Sequence, residues 1–229
     1  LEFRRVLFRS TYGASARLQT TNQSIDVLSS QSVGNITMNP AATFVSEGGN
    51  IRVFAGIEAG GSASGSIALG VIDARKTSVA QSGWGSVSVG TTGDLITDAA
   101  QGDDATAGNV NIYANEIRLS ATGTGGFGTG GQSVELEAIK LSAEAIGTGG
   151  IFLADPTALV IGQTSAITVQ RVGVSSLTAK ADASADRSST APSESTPASV
   201  SGASGASPGS GSRGSSGSGT PSSHPETRR

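Results

Sequence analysis

Four aspartates form the densest acidic group in this 229-residue chain. Asp94, Asp98, Asp103 and Asp104 fall in the segment GDLITDAAQGDDATAGN, between two short apolar phrases. Carboxylates gathered in this way suit two chemistries. A pair flanking a glycosidic bond can serve as general acid and as base or nucleophile. A cluster can hold calcium through its oxygens, and lysis of an acidic polysaccharide then needs a basic partner as well. No Lys or Arg occurs between Lys76 and Arg118 to act as that base. The GGxGxD nonapeptide of calcium-loaded β-rolls is also absent. The four aspartates are therefore candidates for a calcium or glycan loop, set against the plainer reading of a solvated acidic loop.

Trp84 is the other ligand candidate. It stands between two glycines in Ser82-Gly83-Trp84-Gly85, where an exposed indole would stack on a sugar ring; the competing role is covering the protein interior. Tyr113 ends an apolar phrase and is expected to be half-buried. His224 is the one histidine, in a Ser- and Pro-rich tail that offers no buried carboxylate to orient it for a triad. A histidine zinc site fails for the same reason, and the absence of Cys removes thiolate sites and disulfides. The run GTGGFGTGG (123–131) lacks the Lys-Ser or Lys-Thr of a phosphate loop, so it reads as a corner, with Phe127 covering the interior or exposed for stacking. No catalytic residue and no cofactor is expected.

Charge narrows the partners. In residues 11–178 acidic side chains outnumber basic ones 13 to 7, so no basic stripe is present to neutralise phosphates and nucleic acid is not an expected ligand. No apolar run approaches the length of a membrane span.

These residues must be held by short strands. A five-residue phrase recurs as Gly34-Asn35-Ile36-Thr37-Met38, Gly49-Asn50-Ile51-Arg52-Val53, Gly65-Ser66-Ile67-Ala68-Leu69, Gly85-Ser86-Val87-Ser88-Val89 and Gly108-Asn109-Val110-Asn111-Ile112. Each copy is a turn signal followed by apolar alternation. Uneven spacing of this kind predicts a coil of stacked turns, about seven of them, with the phrase as a loose mark of each. Ile36, Met38, Ile51, Val53, Val110 and Ile112 are assigned inward, stacking as an aliphatic ladder. Thr37, Arg52, Ala68, Ser88, Asn111, Arg118 and Glu135 are assigned to a solvated outer face. Gly and Asn suit the corners because both tolerate positive φ. Gly recurs too often for long helices. The stretch SVELEAIKLSAEAI (133–146) has a helical reading and a two-strand reading, and the second is preferred because it echoes Ile117-Arg118-Leu119-Ser120-Ala121. The expected fold is all-β, a right-handed parallel β-helix; a β-sandwich or another β-roll is the alternative.

Composition divides the chain in three. Residues 1–10, LEFRRVLFRS, fit the translated end of a sequencing adapter and are set aside as non-native. Residues 11–178 form the β-helix. In residues 179–229, 40 of 51 positions are Ser, Gly, Ala, Thr or Pro and Val200 is the one large aliphatic, so this tail is expected to be disordered. It is either a genuine stalk or a frame-shifted end, and the whole reads as a fragment of a longer protein.

Residues 24–174 resemble the large secreted bacterial adhesins of the filamentous-haemagglutinin type. The resemblance rests on GNITM, GNIRVFA, GNVNIYANEIRLSATGTGGFGTGG and SVELEAIKLSAEAIGTGGIFLADPTALVIG. It implies secretion by a two-partner or autotransporter route and a place outside the cell or on the bacterial outer membrane. It implies a role in attachment or surface structure, with a host-surface or neighbouring-cell receptor or glycan as partner. The family carries no catalytic residues to transfer. The expected function is a rigid solenoid that presents loops; the alternative is a polysaccharide-active β-helix enzyme, either lyase or hydrolase.

Overall fold

Strands of three residues are too short to stand alone, and here each is held by its neighbours above and below. In a computed structural model of the chain, residues 10–29, 34–57, 65–100, 110–172 and 177–181 are described, with backbone alone for 171–172 and 177–181. Six rungs follow one another. The first is β1 (Ser10–Tyr12), β2 (Arg17–Gln19) and β3 (Ile25–Ser29); the second is β4 (Ile36–Met38), β5 (Thr43–Val45) and β6 (Ile51–Ala55). The third is β7 (Ile67–Leu69), β8 (Val71–Asp73) and β9 (Val87–Thr91); the fourth is β10 (Ile96–Asp98), β11 (Ile112–Tyr113) and β12 (Glu116–Ala121). Phe127 with β13 (Val134–Glu137) and β14 (Lys140–Ala145) makes the fifth, and Ile151 with β15 (Leu153–Ala154) and β16 (Val160–Ile161) the sixth.

Corresponding strands pair in parallel and build three sheets, β1-β4-β7-β10, β2-β5-β8-β11-β13-β15 and β3-β6-β9-β12-β14-β16. This order is that of a right-handed β-helix, the hand that a twisted strand and its crossover prefer. The registers place like on like. The first sheet stacks Ile36, Ile67, Ile96, Phe127 and Ile151. The second stacks Phe44, Ile72, Ile112 and Leu136, and the third Ile25, Ile51, Val87, Ile117, Leu141 and Ile161. Most of these side chains are fully buried in one core, and the six residues assigned inward are all among the buried ones. Phe127 is a core residue, and the 133–146 segment is two strands with a corner at Ala138-Ile139.

The five-residue phrase has a different meaning from the one its spacing suggests. Its first copy lies on β4 and its second on β6 of the same rung; the third and fourth lie on β7 and β9. The phrase therefore occurs at two of the three corners of a rung, and the fifth copy leads into β11 of the second sheet, so copies do not mark successive turns of the coil. The true rung partners are farther apart: Asn35 meets Ser66 across 31 residues and Asn50 meets Ser86 across 36.

The corner residues are also there for another reason than positive φ. Gly49, Gly65 and Gly85 of the phrase are not among the positive-φ residues, which among the described residues are Asn22, Glu47, Gly48, Gly56, Gly128 and Gly150. Glycine is needed because the rungs approach backbone to backbone: a Cβ on Gly85 would overlap the carbonyl of Gly49, and one on Gly49 the carbonyl of Gln23. The asparagines reach along the coil. The Ser66 N–H donates to Asn35 Oδ1 at 2.9 Å, Ser86 N–H to Asn50 Oδ1 at 2.9 Å, and Glu135 N–H to Asn111 Oδ1 at 3.0 Å. Each side chain thus replaces a backbone acceptor that the corner's geometry withholds.

The outer face of the third sheet is not solvated as expected. Arg52, Ser88 and Arg118 are buried there, with Asn111 and Glu135 buried on the neighbouring side. After the sixth rung the chain does not continue the coil. It turns back over the third sheet toward the first rung, through β17 (Thr168–Val172), which pairs antiparallel with β18 (Leu177–Ala181). Arg118 Nε donates to Thr164 Oγ1 at 3.2 Å, and Ser165 N–H to Glu116 Oε2 at 2.7 Å. Asn50 Nδ2 donates to the Thr168 carbonyl at 2.9 Å, and Gln170 N–H to Ser24 Oγ at 2.7 Å. Ile167 and Val169 of this strap are buried. Beneath it, Arg52 Nη1 lies 3.0 Å from Asp26 Oδ1, with side-chain exposures of 4% and 8%, and its guanidinium stands 4.9 Å from the Phe54 ring centroid.

Candidate functional site

The acidic segment belongs to the fourth rung. Asp94 precedes β10 and is exposed, its Oδ1 accepting from Thr124 Oγ1 at 3.2 Å. Asp98 ends β10 in register with Leu69, so it occupies a place that an aliphatic side chain fills in the rung below. It is buried, and its Oδ1 accepts from Asn111 Nδ2 at 2.7 Å and from the Ala100 N–H at 2.8 Å. A carboxylate in that position is tolerable because it is hydrogen-bonded. Asn111 completes the bracket: its Nδ2 also lies 3.4 Å from the carbonyls of Leu69 and Gly70, and its Oδ1 serves the fifth rung. Asp94 and Asp98 thus flank one strand and hold different partners. Asp103 and Asp104 lie outside the described residues.

Trp84 follows a single turn of 3-10 helix, Gln81–Gly83, in the long corner between β8 and β9. Its ring is half-buried, and its Nε1 is turned inward without an acceptor. The indole therefore shows one part of its surface and conceals its only donor.

A third group was not singled out by sequence. On the outer face of the second sheet, register aligns Val45, Asp73, Tyr113 and Glu137. Arg75 folds back over this row. Its Nε and Nη2 donate to the two Asp73 oxygens at 2.9 and 2.6 Å, and its guanidinium lies 3.7 Å from the Tyr113 ring centroid. The hydrogen bonds that Arg75 donates to Asp73 raise the Arg75 pKa against the opposing effect of burial. Burial raises that of Tyr113, while the Arg75 charge pulls it down. The result is a fixed cation stacked on a neutral phenol, with both Asp73 oxygens engaged. The sequence signal was Asp73 and Arg75 two positions apart; Tyr113 and Glu137 join only through register. Among the described residues, no three of His, Cys, Asp or Glu are grouped to hold a metal ion.

No protein-family model matches the chain, and no curated protein or solved structure matches it either.

Proposed function

We propose that this chain is a structural and adhesive segment of a secreted or cell-surface bacterial exoprotein, of the filamentous-haemagglutinin-like kind that its phrases resemble. One observation carries the reading: the coil is a parallel stack whose polar residues are spent on holding its turns, Asn111 joining the fourth rung to the third and fifth and Asp98 bracing Asn111 within the fourth. A scaffold built in this way spaces and presents loops along its length. Its binding would be distributed over a face, with a receptor or glycan on a host or neighbouring cell as partner.

The test is adhesion of beads coated with the full chain to epithelial and bacterial cell layers, together with a glycan array. Saturable attachment that survives Asp94→Asn supports the reading. No attachment above that of beads coated with an inert protein counts against it. Release of unsaturated or reducing sugar ends from polysaccharide, lost in Asp94→Asn, would instead favour the lyase or hydrolase alternative.

A further inference from the structure

The two ends of the coil differ in what they leave uncovered. At the first rung Ile25 and Val27 are 2% and 4% exposed. At the sixth, Ile151 and Ile161 are 47% and 72% exposed. Among the described residues seven large hydrophobic side chains are exposed, and five of them, Ile146, Ile151, Phe152, Val160 and Ile161, belong to this end. Behind them opens a cavity of about 360 Å³, lined mainly by Leu136, Leu141, Ile151, Leu153, Leu159 and Ile161. Among the described residues β15 and β16 are the last strands of their sheets, so no described strand pairs with their outer edges. An apolar mouth ringed by strand edges is a surface built to be covered.

The chain offers little to cover it. In residues 182–229, Val200 is the one large aliphatic residue. Residues 58–64 and 101–109 contain none, and 30–33 and 173–176 hold a single valine each, Val33 and Val174. Residues 1–9 are apolar enough but adjoin Ser10, at the opposite end. Running fully extended past five rung spacings, about 24 Å, they would have about two residues left for the mouth. The covering partner must also supply strand edges, and it meets little charge. The one charged residue in the lining is Asp155, whose oxygens already accept from the N–H groups of Ala138 and Thr157 and from Thr157 Oγ1.

We propose that the C-terminal end of the coil is a dimerisation surface, on which a second copy of this chain docks end to end about a twofold axis. The same end of the second copy is the matching surface, since it joins end-strand edges to exposed aliphatic side chains, whereas the first rung, whose strands also end their sheets, keeps Ile25 and Val27 buried. An isologous contact of this kind closes at two.

The experiment uses the full chain in sedimentation and light scattering over a wide concentration range. The expected result is a dimer, with Ile161→Glu raising its dissociation constant at least about tenfold and Val79→Glu, at an exposed site elsewhere, leaving it unchanged. Circular dichroism reports whether each variant folds. The chain has no Cys, so a second assay needs no disruptive change: Val160→Cys should be joined into dimers by a short bismaleimide and Val79→Cys should not. A chain that stays monomeric overturns the proposal, and if deletion of residues 1–9 then yields the dimer, that segment was the occupant. Open-ended assemblies, equal cross-linking of both cysteine variants, or cross-linking of neither would overturn it as well.

Discussion

The first and last rungs are made of the same parts and end in opposite conditions. Both place aliphatic residues inward in the register of the third sheet, Ile25 at one end and Ile161 at the other, separated by four equivalent positions. At the first rung, that residue is buried and the neighbouring outer face lies under the strap, where Asp26 and Arg52 are held out of solvent. At the last, the inward residue is exposed, although β3 and β16 alike are the end strands of the sheet. The inward pattern is therefore a property of the coil, and burial is a property of the layer that covers each rung. An aliphatic residue in a β-helix stabilises only when a rung or a cover stands on both sides.

The largest test of this contrast compares one substitution in the middle of the stack with the same one at its end. Ile67→Asp places a carboxylate in the dry core and is expected to unfold the chain at 25 °C, a loss of more than about 4 kcal/mol. Ile161→Asp, measured in dilute protein, should change urea stability by less than about 0.5 kcal/mol; an effect of similar size at both sites would show that the mouth is covered in solution. Next is the ion pair under the strap. Asp26→Asn removes the carboxylate opposite the buried Arg52 and should cost about 3 kcal/mol, whereas Lys140→Met, which breaks the more exposed pair to Glu116, should cost less than about 1 kcal/mol. Equal losses in the two denaturation curves would erase the distinction between a pair held out of solvent and one left more open to it.

Asn111→Ala removes the bracket between rungs and leaves Asp98 and the Glu135 N–H short of a partner; about 1 to 3 kcal/mol should be lost in the same assay. The smallest effect is acid loosening of the strap. Burial pushes the Glu116 pKa up, but the Ser165 N–H and the Lys140 ammonium outweigh it, and the net value lies below the ordinary 4.5. Ionised Glu116 therefore contributes stability that is fully present above 4.5 and is lost as pH falls through the lower folded value. Hydrogen exchange at the Ser165 amide should accelerate over that range, and Glu116→Gln should flatten the response.

The fold was legible where burial follows from alternation alone. The inward residues of β4, β6 and β11 can be named from their spacing, and Val134–Ala145 resolves into two strands despite its helical flavour. Rung identity was not legible. Partners such as Asn50 and Ser86 stand 36 residues apart, with loops of unrelated length between them, so the nearer recurrence of corners imitates the period. The apolar run from Ser66 to Val71 misleads in the same way. It is two strands and not one, because the chain turns at Gly70, where a Cβ would stand 2.5 Å from the Asn39 carbonyl oxygen. The strap was invisible because Ile167 and Val169 alternate as any rung does. Nothing local says that they face the outside of a sheet, and hence that Arg52 and Arg118 are buried. In the candidate site, the aspartates were visible as charge, but the inward place of Asp98 and the gathering of Asp73, Arg75, Tyr113 and Glu137 exist only once the register is known.

The strap has a mechanical consequence. A simple coil peels from either end, one turn at a time, because each turn touches only its neighbours. Here the chain leaving the last turn is tied to Arg118 and Glu116, then to Asn50, then to Ser24 beside the first. Tension applied between the ends would load these ties together before any single turn could peel away. The expected force trace is one tall rupture in place of a low saw-tooth, so that the strap makes a row of weak links yield as a single bolt.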